Sequence, residues 1–231
     1  MTNQEALETG IRFYKNKKYE PALELLLTIN EESIDSGELS YYLGLCYARL
    51  ERYDEALLHL EQVVTTHNDF LHLYQSRMLL SIIYSITERY SLAEYELRQL
   101  ESKGFESAQV YSIFSYVLYH KGNLKESIRY LDKASEFEPE NPNILNSLGF
   151  VKAETGQDLD KAVELCKEAV RKKPDQPAYL DSLGWAYYKM GHPNAAKNYI
   201  SRAFQLSKGH RVIKDHLDTV LEKAGEEEEK P

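Results

Sequence analysis

Small and apolar residues recur along this chain at a spacing far longer than the turn of a helix or the pleat of a strand. In most recurrences a small residue is followed three positions later by a ring or another large side chain. The aligned positions are separated by 34, 37, 34, 34, 35 and 34 residues. They are Gly10, Gly44, Ser81, Ser115, Gly149, Gly184 and Asp218. The sequence therefore contains about six and a half copies of one repeat.

Each of the first six units continues with a second apolar set. An alanine or serine opens this set, and an apolar residue follows four positions later. The pairs are Ala22 with Leu26, Ala56 with Leu60, Ala93 with Leu97, Ser127 with Leu131, Ala162 with Cys166 and Ala196 with Ile200. Offsets of three and four lie on one face of a helix, so every unit predicts two helices joined by a short turn.

The expected turns carry residues that end helices. Glycine adopts the left-handed conformation at the lowest cost, and units four to six have Gly122, Gly156 and Gly191 where the first helix must end. Units one to three have Lys17, Glu51 and Glu88 there and lack this signal. The extra residues that lengthen two of the periods, near 67–69 and 157–159, are predicted to form loops.

This pattern resembles the tetratricopeptide repeat (TPR) family over roughly residues 3 to 225. Unit six, LDSLGWAYYKMGHPNAAKNYISRAFQLSK, and unit two, SYYLGLCYARLERYDEALLHLEQVV, carry it most fully. The resemblance implies an all-α, right-handed α-solenoid of about six helix pairs plus a C-terminal capping helix. It also implies that the first helix of each pair lines a concave groove. Families with this pattern usually bind peptides or protein partners and are not usually enzymes.

The predicted organisation is one solenoid over residues 1–225. Its units cover approximately 3–36, 37–73, 74–107, 108–141, 142–176 and 177–210, and a cap covers 211–225. The cap is expected to turn one apolar stripe, Ile213, Leu217, Val220 and Leu221, toward the last full unit. The run of glutamates in 226–231 repels itself and has nothing to bury, so a disordered acidic tail is expected there.

Composition and charge narrow the function classes. A chain with 42% hydrophobic residues can build a core, and a net charge of −9 repels phosphate backbones and anionic lipid. Nucleic acid is therefore not an expected partner. The richest apolar stretch, 78–86, is too short to span a bilayer, so no direct membrane insertion is expected. The default compartment is cytoplasmic, or periplasmic or lipid-anchored if an export signal has been removed from the sequence given.

No motif for catalysis or cofactor binding occurs in the chain. Glycine-rich phosphate loops, nucleophile elbows, zinc-protease helices and calcium loops are all missing from the sequence. Cys46 and Cys166 form no metal-binding or redox spacing, and the seven histidines are interpreted as ordinary surface residues. We therefore expect no catalytic residues, no cofactor and no metal.

The resemblance assigns groove-facing positions six and three residues before each aligned small residue, and one, four and five after it. The chosen groove residues are Tyr14, Tyr41, Leu45, Met78, Ile82, Tyr116, Tyr119, Asn143, Asn146, Phe150, Asp181, Trp185 and Tyr188. Many are aromatic or apolar, which favours docking of a partner. The alternative is that several of them are buried between repeats as core. Phe150, Trp185 and Tyr188 are expected to form one aromatic wall.

Three functional classes follow from these patterns. The favoured one is a non-enzymatic scaffold that binds a protein or peptide segment in the groove, with aromatic anchors and with Asn143, Asn146 and Asp181 setting register. The second is a self-associating structural protein, which would form a homo-oligomer. The third is a small-ligand receptor or an accessory subunit of an enzyme complex, which would need a closed pocket.

Overall fold

The computed structural model describes residues 1–30, 35–66 and 69–228. These residues form thirteen α-helices and no strand. In chain order the helices are α1 Asn3–Lys15, α2 Tyr19–Leu26, α3 Ser36–Arg49, α4 Tyr53–Thr66, α5 Phe70–Ile86, α6 Tyr90–Ser102, α7 Ala108–His120, α8 Leu124–Phe137, α9 Pro142–Thr155, α10 Leu159–Lys172, α11 Pro177–Lys189, α12 Pro193–Leu206 and α13 Arg211–Glu228. The all-helical prediction is confirmed for the described part of the chain.

The chain forms two compact parts, residues 1–106 and residues 107–231. They are called unit 1 and unit 2, and each contains several of the repeats described above. In unit 1, α1 packs on α2, α3 on α4 and α5 on α6, and each pair also contacts the next pair. In unit 2, α7 packs on α8, α9 on α10 and α11 on α12, while α13 packs on α12 and α11. The expectation of one continuous stack over 1–225 stays a prediction.

The aligned small residues allow the two helices of a pair to approach closely. A Cβ atom added to Gly149 would lie 2.5 Å from the Cys166 sulfur and 2.9 Å from the carbonyl oxygen of Ala162. Unit 2 uses serines for the same contact between α7 and α8, where the Ser115 and Ser127 hydroxyls lie 2.7 Å apart. A small side chain at this position is therefore required by the packing of the pair.

Most first helices end in the same way, with or without glycine. Glu51 has φ 59° and Gly122 has φ 77°, so both adopt the left-handed conformation. In both turns the backbone N–H of the following residue donates a hydrogen bond to a carbonyl in the last turn of the helix. Arg52 donates to the Tyr47 carbonyl at 3.0 Å, and Asn123 donates to the Leu118 carbonyl at 2.8 Å. The turns after α1, α5 and α11 share this bond. The backbone geometry of the turn is thus kept in those repeats whose sequence lacks the glycine signal.

The two departures from the 34-residue period have different outcomes. The extra residue near 157–159 lies in a loop, as predicted, where Gly156 and Asp158 both have positive φ. The predicted loop near 67–69 is described only at Asp69. His67 and Asn68 lie outside the described residues, but Asp69 caps α5, which at 17 residues is one turn longer than its counterparts. Ring contacts of Phe105 with Phe70 (4.7 Å) and Tyr74 (4.5 Å) hold this added turn.

The last helix covers the end of the repeat array in unit 2. Ile213 and Val220 of α13 are buried against a core that includes Leu180 and Ile200. Leu221 was expected in the same stripe but is 41% exposed, because it lies to one side of the buried face. The helix also continues to Glu228, beyond the expected end at 225, since a glycine within a helix costs only about 1 kcal/mol. Residues 229–231 of the expected tail lie outside the described residues.

Candidate functional site

Unit 2 contains a cavity of about 630 Å³ bordered by α7, α9, α11 and α13, together with the turns before α11 and α13. Its walls are mostly apolar and aromatic, with serine, asparagine and histidine side chains among them. We call this cavity the unit 2 groove. Three of its four helices are first helices of a pair, and the fourth is the capping helix. The repeat register therefore determines most of the residues that reach it.

A band of aromatic rings crosses the four helices that border the groove. Successive ring centroids lie 4.1–6.3 Å apart. The order of rings is Tyr116, His120, Tyr119, Phe150, His216, Trp185 and Tyr188. Such spacings are those of favourable aromatic pairs, so the rings support one another as a continuous surface. The expected wall of Phe150, Trp185 and Tyr188 is present with an imidazole between the first two rings.

His216 of α13 joins the capping helix to the groove. Its Nδ1 lies 2.9 Å from Oδ2 of Asp181, and its ring stacks on Trp185 with centroids 4.1 Å apart. Because an ionised carboxylate only accepts hydrogen bonds, Nδ1 donates to Asp181. The interpretation of His216 as an ordinary surface residue is wrong: its side chain is 16% exposed and has a specific partner.

Trp185 is held from several sides. Its indole N–H donates to Glu154, its ring stacks on Tyr188, and the Lys189 ammonium lies 5.1 Å from the ring centroid. Lys189 and Glu154 also form an ion pair at 3.2 Å. These contacts support the band, and the predicted role of Trp185 as a binding anchor stays a prediction.

Asn146 of α9 is a polar side chain of the groove with incomplete hydrogen bonding. Its Oδ1 atom is covered from solvent, and within the described structure it has no hydrogen-bond partner. A buried acceptor without a donor costs free energy, about 1–3 kcal/mol. The neighbouring Asn143 differs, because its Oδ1 accepts from the Tyr179 hydroxyl and it does not border the groove. Asn146 is thus the asparagine that a ligand could satisfy.

The groove has an unusual balance of charge. Of the described residues that border it, Asp181 is the single carboxylate, and none is lysine or arginine. His120, His210 and His216 are its other titratable groups besides the two tyrosine hydroxyls. Burial, and secondarily the charge of Glu154, raises the pKa of Tyr119. Its hydroxyl consequently stays neutral and can donate or accept a hydrogen bond.

The structure brings some of the predicted unit 2 residues to the groove and places others beside it. Tyr116, Tyr119, Asn146, Phe150 and Asp181 border the cavity. Asn143, Trp185 and Tyr188 do not border it. Sequence reasoning did not assign His216, Val212 or Ile213 of the cap to the groove, although it named Ile213 in the buried stripe. Their signal was weak because the cap lacks the small residue that fixes the register of the other first helices.

The predicted residues of unit 1 are more deeply packed. Tyr41 and Met78 are each 6% exposed, and Tyr14, Leu45 and Ile82 are half-buried. The Tyr41 ring stacks on His72 at 4.2 Å and its hydroxyl donates to Gln75. Burial, followed by the neighbouring tyrosines, raises the pKa of Tyr41. Tyr41 and Met78 are therefore buried within unit 1, while the groove assignment of Tyr14, Leu45 and Ile82 stays a prediction.

Metal-binding clusters and membrane-spanning helices are both missing from the described residues. No three histidine, cysteine, aspartate or glutamate side chains there come together in a metal-binding arrangement. Among the described helices none is both long and apolar enough to cross a bilayer.

Family profiles described as tetratricopeptide repeat match residues 7–69, 108–141 and 178–210, together more than half of the chain. Curated relatives include the human protein O-mannosyl-transferase TMTC1, 25% identical over 184 residues and 78% of this chain. A TPR repeat-containing protein of Pseudomonas aeruginosa is 39% identical over 32% of this chain. A TPR repeat-containing protein of Methanocaldococcus jannaschii is 25% identical over 99% of this chain. The chain spans 20%, 13% and 41% of the lengths of these three relatives.

Several solved structures share the fold. YrrB, described as a TPR protein with an unusual peptide-binding site, superposes with a TM-score of 0.63 at 16% identity, covering 80% of this chain and 94% of YrrB. A chain of the Cut9–Hcn1 assembly of the APC/C superposes with a TM-score of 0.70 at 12% identity, and the match covers 95% of this chain and 43% of the chain in that assembly. MamA superposes with a TM-score of 0.63 at 19% identity, and the match covers 75% of this chain and 93% of MamA. At these identities the similarity concerns the fold alone.

Proposed function

The chain belongs to the tetratricopeptide repeat family, and from this premise we propose that it binds a segment of a protein partner in the unit 2 groove. Its fold is the α-solenoid of helix pairs, which serves in general as a protein-interaction scaffold. The segment would be extended or helical, with its side chains entering the cavity beside the aromatic band.

The observation that carries the proposal is an exposed ring at the mouth of a cavity. Tyr116 is 47% exposed, although it contacts His120 at 4.4 Å and borders the groove together with Tyr119 and Phe150. Aromatic residues that are partly exposed in the free protein and surrounded by apolar walls are typical anchors of binding surfaces. In this proposal Tyr116 and Phe150 supply most of the binding energy.

Polar residues would set the register of the bound segment. Asn146 and Asp181 border the groove and are available for this role, while Asn143 already accepts from Tyr179. Bound backbone amides and side chains would donate to Asn146, whose acceptor lacks a donor in the described structure. The peptide-binding site in the description of YrrB, a protein of the same fold, supports this mode by analogy.

No catalytic role is proposed. The fold is generally a non-catalytic module, and the similarity to the human mannosyl-transferase covers 20% of that protein. Transfer chemistry would need polar groups that converge on one reacting atom. The groove presents instead an aromatic surface with one carboxylate that is bonded to His216.

The test begins with peptides selected on the immobilised chain from a random display library. Fluorescently labelled copies of the selected peptides are then titrated with wild type, Tyr116→Ala and Tyr95→Ala. Tyr95 is a matched control because it is 56% exposed and lies on α6 of unit 1. Loss of an anchor ring of this kind typically weakens binding by about 2 kcal/mol, some thirtyfold. We expect this loss for Tyr116→Ala and no change for Tyr95→Ala.

Thermal melting and sedimentation distinguish binding of a partner in the groove from unfolding of the variant and from self-association. Tyr116→Ala should melt with wild type, because nearly half of the side chain is already exposed. Selected peptides that bind both variants equally would refute the groove as the binding site. A mass that rises with concentration, and falls for Tyr116→Ala, would assign the groove to a second copy of the chain instead.

A further inference from the structure

We infer that the unit 2 groove receives an arginine side chain of the partner segment, an inference that rests on the proposed function and names the chemistry of its ligand. Three independent properties of the groove lead to this ligand. They are its charge, its aromatic faces and its unsatisfied acceptor.

The charge of the groove favours a cation. Asp181 is the carboxylate among its described lining residues, and none of those residues is a lysine or arginine that would neutralise an incoming acid or repel an incoming base. Its hydrogen bond from His216 orients Asp181 and leaves lone pairs of the carboxylate free, because each oxygen can accept more than one donor. The whole chain carries a net charge of −9, which adds a long-range attraction for basic segments.

The aromatic faces provide a surface on which a guanidinium can lie. Tyr116, Tyr119 and Phe150 border the groove, and the Tyr119 and Phe150 centroids are 5.7 Å apart. A planar guanidinium stacks on such rings and is attracted by their negative faces, more strongly where water is excluded. The three-carbon stem of arginine can meanwhile pack on apolar lining residues such as Val212 and Ile213.

The unsatisfied acceptor distinguishes arginine from an aliphatic residue. Asn146 borders the groove, and its Oδ1 has no donor within the described structure. A small rotation of this side chain toward the cavity would present the oxygen to a guanidinium N–H. Arginine has five N–H donors, so one ligand can serve both Asn146 and Asp181. An aliphatic side chain would fill the same space and leave the acceptor unpaired.

The experiment uses three small probes on the full chain: N-acetylarginine amide, its neutral analogue of equal size N-acetylcitrulline amide, and N-acetylnorleucine amide, whose shorter side chain is purely aliphatic. Binding is followed by nuclear magnetic resonance through the side-chain amide of Asn146 and the rings of Tyr116 and Tyr119. All three probes are titrated in the same buffer at the same pH. We expect the arginine probe to bind at least about tenfold more tightly than either neutral probe.

Variants separate recognition from structure. Tyr116→Ala should weaken the arginine probe by about tenfold, whereas Tyr116→Phe, which keeps the ring, should bind nearly as wild type. Asn146→Asp adds a second carboxylate and should tighten the arginine probe while leaving the citrulline probe unchanged. A purely structural role of Asn146 would not produce this gain. Tyr95→Ala again serves as the control, and a thermal melt accompanies each variant.

Equal binding of arginine and citrulline probes would overturn the inference, as would tighter binding of norleucine. An Asn146→Asp protein that folds but does not gain affinity for arginine would also overturn it. These failures differ from a failure of the proposed function. Display-selected peptides that need Tyr116 but contain no basic residue would leave groove binding intact and remove only the arginine.

Discussion

At the scale of single residues, the turn after each first helix shows how repeat packing overrides local preference. Lys17, Glu51 and Glu88 have φ angles of 59–60°, a conformation that costs a residue with a Cβ atom about 1–2 kcal/mol. The hydrogen bond that the Arg52 backbone N–H donates to the Tyr47 carbonyl, at 3.0 Å, is kept nevertheless. These turns are therefore strained positions where glycine would be better suited than the native residue.

Glu51→Gly should accordingly raise the free energy of unfolding by about 0.5–1 kcal/mol, the left-handed penalty less the greater freedom of glycine in the unfolded chain. Chemical denaturation followed by circular dichroism measures the change. Glu51→Ala is the matched control, since it removes the same side chain but keeps the Cβ atom. Equal stabilisation by both variants would attribute the effect to the glutamate side chain and not to the backbone.

Gly149 tests the opposite requirement, a position where a Cβ atom has no room. Alanine there would approach the backbone oxygen of Ala162 at 2.9 Å, and a backbone atom cannot move aside without shifting α10. Gly149→Ala should destabilise the protein by about 1–3 kcal/mol, although alanine favours a helix. At Gly10 the close atoms belong to the flexible Leu26 side chain, so Gly10→Ala should cost less. A thermal melt of both variants compares them directly.

At the scale of elements, the sequence predicted the helices better than it predicted the site. The period and the helical offsets were enough to place the pairs, because each pair repeats the same contact between a small residue and its partner helix. Tyr116, Tyr119, Asn146, Phe150 and Asp181 reached the groove for the same reason. Tyr41 and Met78, in contrast, are buried within unit 1. A periodic pattern cannot distinguish an aromatic or apolar position that lines a groove from one that is buried in the core.

The apolar stripe of the capping helix predicted most of its buried face, but the sequence did not determine which of its residues reach the groove. Asp218 occupies the place of the aligned small residue in α13, so the repeat register does not show which side chains of this helix border the groove. The structure turns Ile213 and Val220 to the core and His216 to Asp181. Only tertiary packing supplies this information, which explains why His216 was missed.

Ile213→Ala tests the role of α13 as a cap. Ile213 is 6% exposed in a core with Leu180 and Ile200, so its truncation should cost about 2–5 kcal/mol of unfolding free energy. Leu221→Ala on the same helix is the control, because that side chain is 41% exposed and should change stability by only about 0.5 kcal/mol. Denaturant titration gives both values. Similar losses for the two variants would contradict the assignment of the buried face.

At the scale of the whole molecule, the two units each contain one cysteine that reports on opening. Cys46 lies in α3 of unit 1 and Cys166 in α10 of unit 2, and both are free and fully buried. Burial raises the pKa of each thiol to about 12. Since the thiolate is the reactive form, both cysteines should resist alkylation near neutral pH until their surroundings open.

Repeat proteins gain stability from contacts between neighbours, so a weakened cap should loosen the nearest repeats first. We expect Ile213→Ala to accelerate iodoacetamide labelling of Cys166 by about thirtyfold for each 2 kcal/mol lost, while Cys46 keeps its wild-type rate. Mass spectrometry of peptides from a labelling time course measures the two rates in one sample, and Leu221→Ala should alter neither. If Ile213→Ala accelerated both cysteines by the same factor, residues 1–228 would open as one cooperative body, and the division into two compact units would have no thermodynamic counterpart.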